Sequence, residues 1–246
     1  MLEFIISPIT DNQLFHFHNI ITNYMIIVWF VFAVIGFLIK SRGLILKITY
    51  FLIGLSFVQE ILDYINRIFI NDLYVVELSE DLPFQLCHIA YWLTVICLIM
   101  SVSNKNYKYK NYFFSCAYIF GFGALQGIIT VDITGLYTFG DILALHLQHS
   151  IIVLNIIWLI FCFGMKLEIK GIFQAFISVN ILAIIIGFIN YLLGSNYMFL
   201  CDPPKVNNIL VTGDWPYYII VFDLIVLIGG FLLYLPFRVI DSIKKY

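Results

Sequence analysis

The chain has 246 residues, of which 62% are hydrophobic and 11% charged, with a mean hydropathy of +0.99. That balance excludes an ordinary soluble domain. A net charge of −2, with no basic run interleaved with aromatics, excludes nucleic acid as a partner.

A hydrocarbon core takes about 20 apolar residues per helix, and seven such stretches follow one another. Before the first, residues 1–19 hold Glu3, Asp11, His16 and His18 but no Lys or Arg, so no cleavable signal peptide is expected. The first stretch, 20–39, ends at Lys40, Arg42 and Lys47. The second, 44–66, carries Glu60 and Asp63 on one face of its last turns, with Arg67 just beyond. An acidic loop with Asp72, Glu77, Glu80 and Asp81 leads to Pro83, where the third stretch, 84–103, opens with Gln85, Cys87 and His88. Lys105, Lys108 and Lys110 precede the fourth, 112–130, which places Gln126 near its far end. From Asp141 the fifth stretch, 142–163, puts His146 and His149 on one face, His149 roughly 12 Å along the axis. After Lys166 and Lys170, the sixth, 171–193, ends with Asn190, and Asn196 and Tyr197 lie in the next loop. The seventh, 215–237, runs between Pro216 and Pro236, so that no span is expected to hold an interior proline.

Eleven of the thirteen basic residues fall in the first, third and fifth connections and the C-terminal tail, which includes Arg238, Lys244 and Lys245; only Arg67 and Lys205 fall opposite. Lys and Arg are retained in the cytoplasm, so the expected architecture is an all-α bundle of seven transmembrane helices, a single domain with its N-terminus outside. No internal repeat suggests a transporter built from inverted halves.

With that orientation, Glu60, Asp63, Gln85, Cys87, His88, Gln126, His146, His149, Asn190, Asn196 and Tyr197 share one slab, the outer leaflet. Unsatisfied polar groups in hydrocarbon cost several kcal/mol, so these are expected to face a common cavity. A thiol beside an imidazole is the minimum pair for nucleophilic catalysis, and Cys87 with His149 could form it, oriented by Glu60 or Asp63. Gln85, Gln126, Asn190 or Asn196 would stabilise an oxyanion. Bland alternatives stand beside this reading. Cys87 could be a core residue or pair with Cys201; His88 is expected to make an interfacial hydrogen bond; Glu60 and Asp63 could simply neutralise Arg67. His146 and His149 with a carboxylate could bind metal, but no paired-histidine motif is present, and neither metal nor cofactor is expected. Cys97, Cys116 and Cys162 read as packing residues, and Asp223 as a partner of a neighbouring helix. A channel or transporter would instead need polar residues deeper in the bundle, and few are present beyond Asn155 and Asn180.

The blocks LPFQLCHI (82–89), GALQGIITVD (123–132), LQHS (147–150), NYLLGSNYMFL (190–200), WPYY (215–218) and LLYLPF (232–237) resemble the YwaF-like family of bacterial integral membrane proteins. Val131 stands where that family usually has proline. A eukaryotic branch is similar to transmembrane acyltransferases that remodel ether phospholipids. The resemblance implies Cys87 as nucleophile in a Pro-x-x-x-Cys motif and His149 as base, and assigns His88 no essential role. A membrane phospholipid would be the acyl donor, a lysolipid or lipoprotein amine the acceptor, and the bacterial cytoplasmic membrane the location.

Overall fold

In the computed structural model, which describes residues 5, 7–103, 105–204 and 213–243, the chain is all-helical. Glu3, Lys205, Lys244 and Lys245 lie outside the described residues. The helices are α1 (Asp11–Leu38), α2 (Arg42–Ile65), α3 (Leu86–Val102), α4 (Lys110–Ile129), α5 (Phe139–Phe163), α6 (Ile169–Leu193) and α7 (Tyr217–Ile243). One π-helical turn, Asn66–Ile70, prolongs α2, and a 3-10 turn, Tyr197–Phe199, lies between α6 and α7. Among the described residues six helices have the length and apolarity to cross a bilayer; α3, at 17 residues, is apolar but shorter.

Each expected stretch is a helix, but several ends move. α1 begins at Asp11 rather than 20, because Thr10 Oγ1 accepts from the Gln13 backbone while Gln13 Oε1 accepts from the Thr10 N–H. This capping box starts the helix among polar residues that hydropathy averaging discounts. α7 does not end at Pro236: it continues to Ile243 with the proline inside. Proline removes one helical hydrogen bond, yet Phe237 is buried edge-on against the Tyr118 ring, which holds the next turn in place.

α5 is the axis of the bundle, packing against α1, α2, α3 and α4. Its ends are sharply defined. Thr138 and Asp141 form a capping box, and Gly164, at φ 64°, stops the helix in the left-handed conformation with Met165 N–H returning to the Leu159 carbonyl. α6 packs on the far side of α4, where a Cβ on Gly171 would run into Ser115. Large apolar side chains remain exposed along α1, α2, α6 and α7, as lipid contact demands.

Polar groups between α2, α3 and α5 are tied to one another. The Asn155 amide donates to Thr94 Oγ1 at 3.0 Å and Ser56 Oγ at 3.4 Å, Tyr91 donates to the Ser56 carbonyl at 2.6 Å, and Trp158 Nε1 donates to Thr49 Oγ1 at 2.8 Å. Between α6 and α7, Asn180 donates to Asp223 at 3.3 Å, the helix partnership expected for that carboxylate. Thr49→Val should lower stability by about 1–2 kcal/mol, because it leaves the buried Trp158 N–H without an acceptor; thermal unfolding in detergent reads this directly.

Candidate active site at one end of the bundle

Gln85 caps α3, so Cys87 is the second residue of the helix, where backbone N–H groups have no intrahelical acceptor. The cap is fixed from outside: Gln85 Oε1 accepts from the Met198 N–H at 3.0 Å. Met198 and Phe199 both hold positive φ, 57° and 53°, rare for side-chain-bearing residues. Asn190 enforces this turn, accepting from Ser195 and the Tyr197 N–H and donating to the Tyr197 carbonyl. Tyr197 in turn bonds Leu78 and Leu82, and Asn196 is occupied by the backbone of Cys201 and Asp202. Asn190, Asn196 and Tyr197 therefore build the loop that covers the start of α3, and the Met198 side chain packs in the same apolar cluster as Cys87. Asn190→Ala should cost about 1–3 kcal/mol through its unpaired neighbours and loosen this loop; protease sensitivity near Met198 is the measurement.

His149 is 5% exposed, and its Nδ1–H donates to the Leu145 carbonyl at 2.8 Å. This fixes the tautomer and leaves Nε2 with the lone pair. Nε2 faces α4 at Gly127, where a Cβ would stand 3.0 Å away. The neighbouring residues set the relative height of α3 and α5: the Gln148 amide touches the His88 ring at 3.3 Å. Cys87 and His149 thus lie at matching depth on adjacent helices, although among the described residues they share no hydrogen bond.

The expected carboxylate partners go elsewhere. Glu60 Oε1 lies 2.7 Å from His88 Nε2, the interfacial bond expected of that histidine, while Asp63 pairs with Arg67 at 2.9 Å, which also reaches Asp81 at 3.0 Å. Of the two acids only Asp63 neutralises Arg67, and His149 is oriented by a backbone carbonyl. His146, fully buried, bonds the Ile142 carbonyl at 2.7 Å and His18 at 2.8 Å, joining α1 to α5 rather than entering the cavity. Gln126 donates to Thr130 one turn on. Cys87 and Cys201 are both free thiols, so the alternative disulfide is not formed. Among the described residues no three His, Cys, Asp or Glu side chains group as a metal site requires.

Sequence reading missed Gln148 and His18. Gln148 directly precedes His149, so its face was the available signal; His18 lies in a stretch taken to precede the first helix. A cavity of about 140 Å³ opens beside this cluster, lined by Asp63, Arg67, Tyr74, Asp141 and Gln148 among others. Burial and its hydrogen bond to Asp81 push the Tyr74 phenol above its usual range, so it stays a donor.

No curated protein and no solved structure matches the chain. A family model does, over residues 13–234: with its apolar helices spanning almost the whole match, the chain belongs to the TMEM164 family.

Proposed function

We propose that the protein is a membrane-embedded acyltransferase with Cys87 as nucleophile and His149 as base. The observation that carries this reading is the His149 tautomer: an imidazole whose lone pair sits on Nε2, at the depth of a thiol nested at a helix N-terminus. His149 Nε2 takes the Cys87 proton, the sulfur attacks the ester carbonyl of a phospholipid, and the tetrahedral oxyanion is met by the free N–H groups of the first turn of α3. Collapse expels the lysolipid alkoxide, which recovers the proton from His149, and leaves an S-acyl Cys87. The acyl chain then passes to a lysophospholipid hydroxyl or a lipoprotein amine; water in that place would make the protein a lipid hydrolase.

The same reading places α3 as a seventh span and the N-terminus outside, supported by the positions of Lys40, Arg42, Lys47, Lys105, Lys108, Lys110, Lys166 and Lys170 at one end of the bundle. The active site then faces the outer leaflet of a bacterial cytoplasmic membrane, in keeping with the likeness to YwaF-like proteins. Intact-mass measurement of protein purified from membranes should find a fatty-acyl adduct on Cys87 that hydroxylamine removes. Its absence under turnover with a phospholipid donor, or its presence on another residue, ends this assignment.

One observation favours a second reading, a transporter or channel. The Ser56, Thr94, Asn155, Thr49 and Trp158 groups carry polarity deeper than the sequence suggested. Leu52, wholly buried, interrupts that seam. Proton or solute flux in proteoliposomes, undiminished by loss of Cys87, distinguishes this from acyl transfer.

A further inference from the structure

We infer that the acceptor half-reaction has its own base, His88, and that its protic nucleophile, a hydroxyl or amine, arrives through the polar cavity between α2 and α5. This rests on the acyl-enzyme reading above.

His88 leaves α3 one residue after Cys87, about 100° around the helix, and so meets different neighbours from the thiol. Glu60 Oε1 stands 2.7 Å from its Nε2. A carboxylate only accepts, so in the neutral ring Nε2 carries the proton and Nδ1 the lone pair. The Gln148 amide nitrogen lies against the ring, 3.3 Å from Nδ1 and 3.4 Å from Nε2, off the in-plane direction of that lone pair, which an incoming donor can take. Gln148 also lines the 140 Å³ cavity, together with Asp63, Arg67 and Asp141. The space is well below the roughly 300–1,000 Å³ of pockets that engulf whole ligands, so it admits a polar head and not an acyl chain.

The two imidazoles near Cys87 are supported differently. His149 has a backbone carbonyl behind it and apolar packing around it, suited to a lipid ester. His88 has a carboxylate, which stabilises the imidazolium formed when it takes a proton. The second oxygen of Glu60 is buried with no hydrogen-bond partner among the described residues, so the carboxylate has acceptor capacity to spare for a positive charge beside it. In the proposed step the acceptor X–H gives its proton to His88 Nδ1 as X bonds to the acyl carbon. The C–S bond breaks with its electron pair on sulfur, and the proton on His88 returns to the thiolate. The products are X–acyl and free Cys87.

The test separates formation from discharge of the Cys87 adduct, by intact mass, in nanodiscs with phosphatidylglycerol as donor. Discharge is followed with lysophosphatidylglycerol as hydroxyl probe and a diacylglyceryl-cysteine peptide as amine probe. His88→Gln should accumulate adduct, with discharge slowed about 100-fold and the base-dependent limb of its pH profile lost. Glu60→Gln, which keeps size and an acceptor oxygen, should slow discharge about tenfold, and reads the same step should His88→Gln not fold. Discharge within twofold of wild type in both variants, adduct formation lost in parallel with discharge, or a wild-type adduct that neither probe removes overturns the proposal. A wild-type protein that forms no adduct at all overturns the acyl-enzyme reading itself, and this with it.

Discussion

His149→Ala should leave Cys87 unacylated and lower acyl transfer by about 10³–10⁴-fold, in the range for removal of a general base that also returns the leaving-group proton. The expectation follows from what the ring does in the fold. Its hydrogen bond among the described residues is to the Leu145 carbonyl of its own helix, so alanine removes packing, including that against Gly127, but no hydrogen bond between helices. The buried cavity left behind should lower the unfolding temperature by several degrees, and protein that remains folded should still show the loss of activity. Gly127 gives an independent handle on the same nitrogen. A Cβ there stands 3.0 Å from Nε2, so Gly127→Ala should push the ring aside and cost about tenfold in adduct formation, and Gly127→Val more than 100-fold by the sensitivity of catalysis to displacement near 1 Å. Adduct formation at wild-type rate in His149→Ala would remove the imidazole from the chemistry; wild-type rate in Gly127→Val would mean that Nε2 does not face the reacting sulfur.

Hydropathy made the helices legible because lipid imposes a length and an apolar composition on each of them. Their ends were less so. The Thr10 cap and the continuation past Pro236 depend on side-chain bonds and on where Phe237 packs, which a window average does not contain. Gathering Cys87 and His149 at one depth followed from counting residues from the starts of two helices that run in the same direction, and the His88–Gln148 contact agrees with it. Which carboxylate served which histidine was not readable. Glu60 and Asp63 share a face, and their division between His88 and Arg67 depends on the rotation of α2 against α3, set by packing over the whole interface. Asn190 and Asn196 look like oxyanion donors in the sequence because polarity near a membrane surface suggests a site. A loop that folds back over a helix start needs the same amides to satisfy its own backbone.

In the sequence Asp141 marks only the start of the fifth span, yet its removal should have the largest effect on stability of any single change at this end of the bundle. The carboxylate accepts from Asn66 at 2.9 Å, from Asn71 at 2.9 and 3.0 Å, and from the Tyr137 and Thr138 N–H groups, each at 2.9 Å. Two of these donors belong to residues that are almost wholly buried, Asn71 at 5% and Thr138 at 1% exposure. Each buried donor left unpaired costs about 1–3 kcal/mol, and the α5 capping box keeps only its Thr138 half, so Asp141→Ala should destabilise by about 3–5 kcal/mol, or on the order of 10 °C in Tm. Asp141→Asn should not rescue, because its amide would present hydrogens to a ring of hydrogens. The Asn71→Ala, Asp141→Ala double variant provides the decisive measurement: once the carboxylate is gone, deleting Asn71 removes a group that has already lost its acceptors, so the combined loss must be smaller than the sum of the two. Strict additivity would show that the carboxylate does not hold the π-helical end of α2 against α5, and that Arg67 and the cavity rim are positioned by packing alone.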